Sequence, residues 1–298
     1  MRSGRNSTLI QTMRPPFLVL TPVCVFLGVA TALYASVVLP VTELSLILLG
    51  ALSAHISVNT LNEYFDYRSG LDSMTFKTPF SGGSGALMAD PDALPWVGIT
   101  GLLALMLTCA VGIYFIVHQG WQILPIGLLG VIIVLTYTPW INRHPLLCLL
   151  APGAGFGLLM VIGTSLLLTG AYAPTALLAA TVPFFLTNNL LLLNQYPDIE
   201  ADQKVGRHHA PIAYGIGRCN LIYALQQAGA ALAICTGVAT GLFPITSLYA
   251  LLPLLAAIAA LYGAMRFATD HERLTPFLGL NVAATLLTPL VLGISFIW

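Results

Sequence analysis

Long apolar runs separated by short polar connections are the dominant pattern of this chain. A helix needs about 20 mostly apolar residues to cross the hydrocarbon core of a bilayer, and nine runs reach that length. These runs are 16–38, 43–65, 94–117, 120–140, 146–169, 173–197, 219–242, 246–267 and 275–297. The pattern therefore predicts an all-α fold, a polytopic bundle of nine transmembrane helices that forms a single domain over residues 1–298.

Composition supports this interpretation. Hydrophobic residues make up 57% of the chain and charged residues 7%, and the mean hydropathy is +0.89. Soluble domains carry about 25% charged residues, so a soluble protein is excluded. The formal net charge is zero, and nothing indicates a nucleic-acid partner. The five cysteines show no CxxC spacing and four lie inside apolar runs, which argues against a disulfide framework or a zinc site.

The basic residues predict the orientation of the bundle. All eleven lysines and arginines lie in the N-terminal tail or in the even-numbered connections between predicted spans. Positive charge collects on the cytoplasmic side of membrane proteins. The N-terminus is therefore expected in the cytoplasm and the C-terminus, at Trp298, outside.

Ten of the eleven acidic residues lie on the same predicted side, and most belong to two clusters. The first cluster follows the second predicted span and contains Asn62, Asp66, Arg68 and Asp72; the second follows the sixth span and contains Asn194, Asp198, Asp202, Lys204 and Arg207. Each cluster includes an Asn-x-x-x-Asp element at the end of its span. Residues at i, i+4, i+7 and i+11 share a helix face, so His55, Asn59, Asn62 and Asp66 should form one polar stripe.

Clustered carboxylates repel one another unless a cation compensates. Mg²⁺ is usually held by one or two carboxylates together with phosphate oxygens, and Arg68, Lys77, Lys204 and Arg207 suit the remaining oxygens of a diphosphate. Taken singly, either cluster is explained equally well as solvated loop charge, but two on one side favour a site. An ion-coupled transporter is the alternative from another class, although its polar residues would be expected near the midplane.

These residues resemble the UbiA superfamily of intramembrane aromatic prenyltransferases. That family has nine spanning helices, an Asn-x-x-x-Asp motif after the second and an Asp-x-x-x-Asp motif after the sixth. The resemblance covers both acidic motifs, the opening Arg14-Pro15-Pro16-Phe17, and the fifth span from Phe156-Gly157 to Gly163-Thr164. Gly70 stands where the 4-hydroxybenzoate branch has an acid, which is typical of the branch that prenylates 1,4-dihydroxy-2-naphthoate towards menaquinone. Glu63 departs from the aspartate that is common at its position.

The resemblance implies a polyprenyl diphosphate donor, an aromatic acceptor and Mg²⁺ at the cytoplasmic face of the inner membrane. It implies that Asp66, Asp72, Asp198 and Asp202 are catalytic and bind the metal, and that Asn62 binds both the metal and the substrate. The other substrate-binding residues that it implies are Arg68, Lys77, Asn194, Lys204, Arg207 and Tyr137. The acceptor stays open among 1,4-dihydroxy-2-naphthoate, a hydroxybenzoate, a porphyrin and a glycerol phosphate. Donor length and oligomeric state are not predicted.

Several other polar residues carry smaller expectations. His55 is expected to be a hydrogen-bonded packing residue, and His208 and His209 are expected in a solvated loop. Asn188 and Asn189 lie mid-span and should hydrogen-bond between helices. The glycine-rich loop 81–85 is interpreted equally well as a cap over the site or as a linker.

Overall fold

Each long apolar run forms a helix, because in lipid the backbone must satisfy its polar groups within its own segment. The structure is a computed structural model that describes residues 2–37, 40–75 and 77–298. The helices are α1 (Arg2–Thr12), α2 (Pro15–Leu18), α3 (Leu20–Tyr34), α4 (Val41–Ser69), α5 (Ala86–Ala89), α6 (Leu94–Gln119), α7 (Leu124–Thr136), α8 (Pro145–Gly153), α9 (Val161–Thr169), α10 (Pro174–Asn194), α11 (Ile199–Lys204), α12 (Ala210–Ala239), α13 (Leu254–Phe267) and α14 (His271–Ile297). A π-helical segment, Ala154–Met160, joins α8 to α9.

Within the described residues, seven helical stretches are long and apolar enough to cross a membrane: Val41–Ser69, Pro91–Gln119, Pro145–Thr169, Pro174–Asn194, Ala210–Ala239, Ile245–Phe267 and His271–Ile297. An eighth candidate is the pair Arg5–Leu18 and Leu20–Tyr34, which meet at a bend of 40°. The predicted span 120–140 forms a shorter apolar helix, Trp121–Thr136. The all-helical membrane architecture is confirmed, whereas nine spans and the orientation of the termini stay predictions.

The chain also changes direction between α1 and α2, at Arg14, and this turn has a local cause. Arg14 adopts a left-handed backbone conformation, with φ of 54°, and Pro15 and Pro16 then begin α2. A left-handed non-glycine residue costs of order 1 kcal/mol or more, so surrounding contacts must hold it in place. The side chain of Arg14 supplies such contacts, because it reaches α4.

Glycines let the central helices approach closely. A Cβ atom at Gly153 would lie 2.2 Å from the carbonyl oxygen of Phe184, and one at Gly157 would lie 2.3 Å from the Phe184 nitrogen. On α3, a Cβ at Gly28 would lie 2.6 Å from the Cβ of Thr164. Small residues at such contacts are typical of helix packing in membranes. They bring α10 against the π-helical segment and α3 against α9.

Buried amides connect the same helices. The backbone N–H of Gly153 donates to Asn188 Oδ1 at 2.7 Å, and Asn189 Nδ2 donates to the carbonyl of Tyr223 at 3.0 Å. The expected interhelical role of Asn188 and Asn189 is thereby confirmed. Together these contacts hold α10, which carries the second acidic motif at its end, against α8 and α12.

Candidate active site

The two acidic clusters meet at one cavity of about 410 Å³. The first contributes Asn62, Asp66 and Asp72 to its lining, and the second contributes Asn194, Asp198, Asp202 and Arg207. We call this part of the cavity the acidic end. The helical face predicted for α4 is confirmed, since His55, Asn59, Asn62 and Asp66 all line the cavity. Asp72 arrives by a turn: Gly70, with φ of 77°, ends α4 and returns the chain towards the cavity.

Arg207 connects the two acidic clusters directly. Its Nη2 binds Asp66, and its Nη1 donates to Asp202 Oδ1 at 2.8 Å. Burial alone would lower the pKa of Arg207, but the charges of Asp66 and Asp202 outweigh it and raise the pKa above its ordinary value. Asp202 is also held by His209, whose Nε2 lies 2.8 Å from Oδ2. The guanidinium therefore holds α4 and the segment after α10 at a fixed separation.

A second ion pair lies beside the first. Arg14 Nε donates to Glu63 Oε1 at 2.7 Å, and Arg14 Nη2 donates to Asn62 Oδ1 at 3.3 Å. Glu63 is fully buried. Its carboxylate also accepts the backbone N–H of Ser84 at 2.8 Å and the Ser84 hydroxyl at 2.6 Å. Glu63 thus binds the N-terminal segment and the glycine-rich loop at once.

The glycine-rich loop lies over the acidic end, as the cap interpretation requires. Ser81, Gly82 and Gly83 line the cavity. The backbone N–H of Gly82 binds Asp198. Gly83 has φ of 70°, and a Cβ atom there would lie 3.0 Å from Asp72 Oδ1. A side chain at Gly83 would be strained and would crowd Asp72, which explains a glycine at this position.

Five oxygens of the described cavity lining are buried without a hydrogen-bond partner, including those of Thr75 and Asn142. The other three belong to the acidic clusters: Asp72 Oδ2, Asn194 Oδ1 and Asp198 Oδ1. Unpaired buried acceptors are costly, so each calls for a ligand. Carboxylate and amide oxygens are the ligands that Mg²⁺ prefers, and this set fits the ion. Among the described residues no group of three or more His, Cys, Asp or Glu side chains is arranged to hold a metal ion.

The predicted basic residues divide into two groups. Arg207 lines the cavity, whereas Arg68 and Lys204 are exposed and do not line it. Arg68 instead donates to the hydroxyl of Tyr64 at 3.2 Å. Arg68 follows Asp66, and Lys204 follows Asp202, by two positions. Two positions rotate a helix by about 200°, so in each case the basic side chain faces away from the acidic one.

Lys77 is exposed and takes an intermediate position. It does not line the cavity, but its positive charge acts on Asp72, and a Cβ atom at Gly85 would lie 1.9 Å from its Nζ. Tyr137 lines the cavity and hydrogen-bonds Cys148. The contribution of Lys77 and Tyr137 to substrate binding stays a prediction.

Sequence reasoning missed three residues at the site. The resemblance includes Arg14 and Glu63 but assigns neither of them a role, and the sequence predicts that His209 lies in solvent together with His208. His208 is exposed, but His209 is buried against Asp202, so the expectation for His209 is wrong. The chain turns back between α11 and α12, and His209 directly precedes α12. This turn places the His209 ring beside Asp202 at the acidic end. His55 meets its expectation, since its Nδ1 lies 2.8 Å from the Thr21 hydroxyl.

Comparisons with known proteins show which family this chain resembles in sequence and in fold. The model of the UbiA prenyltransferase family matches residues 20–282. A 1,4-dihydroxy-2-naphthoate octaprenyltransferase of Haemophilus influenzae is 27% identical over 264 residues, which cover 83% of this chain and 82% of the relative.

Two solved structures share the fold. The apo UbiA homolog from Aeropyrum pernix K1 has a TM-score of 0.70 at 17% identity, and the match covers 95% of this chain and 97% of the homolog. The UbiA homolog from Archaeoglobus fulgidus bound to DMAPP and Mg²⁺ has a TM-score of 0.64 at 16% identity, and the match covers 95% of this chain and 99% of the homolog.

Proposed function

This chain belongs to the UbiA prenyltransferase family, and we propose that it transfers a polyprenyl group from its diphosphate to 1,4-dihydroxy-2-naphthoate in menaquinone biosynthesis. The observation that carries the proposal is the single cavity in which both acidic motifs present unpartnered oxygens. The acceptor is supported by the naphthoate prenyltransferase of Haemophilus influenzae and by Gly70 in the first motif. Nothing in the comparisons supports the ion-coupled transporter that the sequence left open.

The acidic end is the place for the diphosphate of the donor. Asp72, Asn194 and Asp198, with Asp66 and Asp202 beside them, would hold Mg²⁺, which supplies positive charge against the diphosphate oxygens. The prenyl-diphosphate complexes of the Archaeoglobus fulgidus homolog with Mg²⁺ support this assignment. We place this end at the cytoplasmic face of the inner membrane, where the basic residues of the chain collect.

The residues of this chain stabilise the charge that develops when the donor ionises. The allylic carbon–oxygen bond breaks and its electron pair leaves on the diphosphate. Arg207 carries guanidinium N–H groups beyond those that bind Asp66 and Asp202, and these can donate to the leaving oxygens. Glu63 and Asp198 hold Ser84 and Gly82 of the loop, which covers the site.

The remaining cavity protects the allylic cation until an electron-rich ring carbon of the acceptor attacks it. That carbon then loses its proton, or its carboxyl group as CO₂ if it carries one, and the ring becomes aromatic again. Its walls beyond His55 are largely apolar, with residues such as Phe156 and Leu159. An apolar chamber excludes water, which would otherwise hydrolyse the cation. Transfer to the ring is thereby favoured over loss of the prenyl group to water.

Purified protein in lipid, supplied with Mg²⁺ and octaprenyl diphosphate, tests this function against four acceptors. We expect mass spectrometry to detect prenylated 1,4-dihydroxy-2-naphthoate, and no product when Mg²⁺ is chelated. The panel also contains 4-hydroxybenzoate, a porphyrin and glycerol phosphate. Product from one of these alone would refute the naphthoate acceptor and leave prenyl transfer intact, whereas no product from any acceptor would refute both.

Binding of Mg²⁺ is expected to depend on pH. Burial, with the nearby charges of Glu63 and Asp66, raises the pKa of Asp72 from 3.8 to about 7. Burial and the charge of Asp202 raise the pKa of Asp198 from 3.8 to about 7. Both groups bind protons more tightly in the folded protein, so the metal-free protein loses stability as the pH rises from about 4 to about 7.

Mg²⁺ competes with those protons. We expect its stabilisation, measured as a shift in Tm, to be small near pH 5.5 and to grow until about pH 8. Asp72→Asn should flatten this dependence. An equal Mg²⁺ shift in Tm at both pH values would contradict the assignment of these carboxyls to the metal.

A further inference from the structure

The cavity extends far beyond the acidic end. Asp66 and Ile47 both line it, although they lie 19 residues apart on α4. That separation corresponds to about 28 Å of helix, close to the thickness of about 30 Å of the hydrocarbon core. Phe115 of α6 and Leu167 of α9 line the same distant part. The cavity is therefore a long apolar passage with one charged end.

Four glycines in the wall of this passage have room for a side chain. Gly112, Gly127, Gly130 and Gly155 line the cavity. A Cβ atom at the first, second or fourth of these positions would meet no heavy atom within 4 Å, and one at Gly130 would meet only Leu159 Cδ1, at 3.8 Å.

These wall glycines differ from Gly153 and Gly157, whose missing Cβ atoms make room for the backbone of α10. Glycine inside a helix costs about 1 kcal/mol relative to alanine. The wall glycines give up that stability without closer helix packing in return. What they provide is open space in the passage.

Three of the wall glycines lie at increasing depth. Gly130 and Gly127 precede Tyr137 by seven and ten residues, which places them about 10 Å and about 15 Å from that residue along α7. Gly112 is deeper still. Its neighbour Val111 lies against Gly50, with 3.0 Å between Val111 Cγ1 and a Cβ built at Gly50. Gly50 precedes Asp66 by sixteen residues, or about 24 Å of helix.

In the proposed function the isoprenoid tail of the donor takes this passage, and we propose that Gly130, Gly127 and Gly112 set the length of tail that fits. The inference rests on the proposed function, since it needs a diphosphate at the acidic end. An apolar chain with a diphosphate head matches a passage with apolar walls and one end rich in carboxylates and arginine.

The test replaces each glycine by leucine and compares geranyl, geranylgeranyl and octaprenyl diphosphate as donors. Leucine favours helix, so the variants should fold. In Gly130→Leu we expect kcat/KM for the octaprenyl donor to fall about 10- to 100-fold, as overfilling of a packed site does, while the value for the geranyl donor changes little. Gly112→Leu should impair the octaprenyl donor and spare the geranylgeranyl donor.

Two kinds of control variant accompany the series. Alanine at the same three positions should keep the length profile, because a single methyl group meets open space. Gly217→Leu adds the same side chain on α12, where a Cβ also meets nothing within 4 Å but the residue does not line the cavity. It should leave the activity with every donor unchanged. Tm values measured without donor verify that each variant is folded.

The outcomes separate this inference from the proposed function. An unchanged length profile in all three leucine variants, or an equal loss with every donor, would overturn the inference and leave prenyl transfer standing. If the wild type transfers to no acceptor, the proposed function is refuted, and the Tm in Mg²⁺ is measured with each diphosphate instead. Stabilisation that increases with tail length and is lost in Gly130→Leu would then still support the role of the glycines.

Discussion

Replacing Asp198 by asparagine is expected to lower kcat by about 10³-fold, the equivalent of roughly 4 kcal/mol of lost charge stabilisation. Asparagine keeps the size of the side chain and one oxygen, but it removes the negative charge that faces the cavity. Asp198 Oδ1 has no hydrogen-bond partner within the protein, and the oxygen that asparagine keeps can still accept the N–H of Gly82, so the protein itself should lose little stability. Initial rates at saturating donor and Mg²⁺, together with Tm, measure the two effects separately.

Glu200→Gln is the matched control for this prediction. It removes a carboxylate two residues further along, in the helix α11 that begins directly after Asp198, but Glu200 is exposed and does not line the cavity. We expect its rate to stay within about twofold of the wild type, because exposed charges interact weakly across water. A rate for Asp198→Asn within tenfold of the wild type would contradict the assignment of this carboxylate to the reaction.

Glu63→Gln is expected to destabilise the protein by about 3–5 kcal/mol, the usual cost of leaving one member of a buried ion pair unpaired. The change keeps the shape of the side chain and leaves Arg14 facing a neutral amide. It also weakens the bonds to Ser84, so the loop over the acidic end should open more often. We expect a lower Tm and faster proteolytic cleavage near residues 81–85.

Two further variants separate charge from shape. Glu63→Asp keeps the charge, and aspartate is common at this position in the family, so much of the stability should return. The double variant Arg14→Met with Glu63→Gln removes both charges and should be more stable than Glu63→Gln alone, because no unpaired ion remains. Equal stability of Glu63→Gln and the wild type would show that this ion pair does not hold the loop.

The sequence predicted the architecture well because hydropathy and helical period are local properties. The apolar runs and the polar face of α4 follow from counting residues along a helix, and both are present in the structure. The same counting, applied to Arg68 and Lys204, places them away from the acidic face. Their proximity in sequence to Asp66 and Asp202 suggested a shared site that helical geometry does not provide.

The contacts that complete the site depend on distant parts of the chain. Arg14 meets Glu63 across 49 positions, and Arg207 meets Asp66 across 141. Neither pairing has a periodic signal in one sequence. His209 shows the same limit, because a histidine next to a charged loop reads as solvated until the turn after α11 is known. The sequence does place Glu63 inside the predicted span 43–65, and an ionisable residue within a span indicates a partner of opposite charge nearby.

The bridge from Arg207 to Asp66 also has a consequence for biogenesis. A ribosome delivers the chain from its N-terminus, and domains tend to fold as they emerge. Asp66 therefore enters the membrane system long before Arg207 has been translated. During that interval its carboxylate lacks its partner, and a chain that stalls before residue 207 cannot form the bridge. Residue 207 consequently marks the earliest point in synthesis at which this link between the two halves can form.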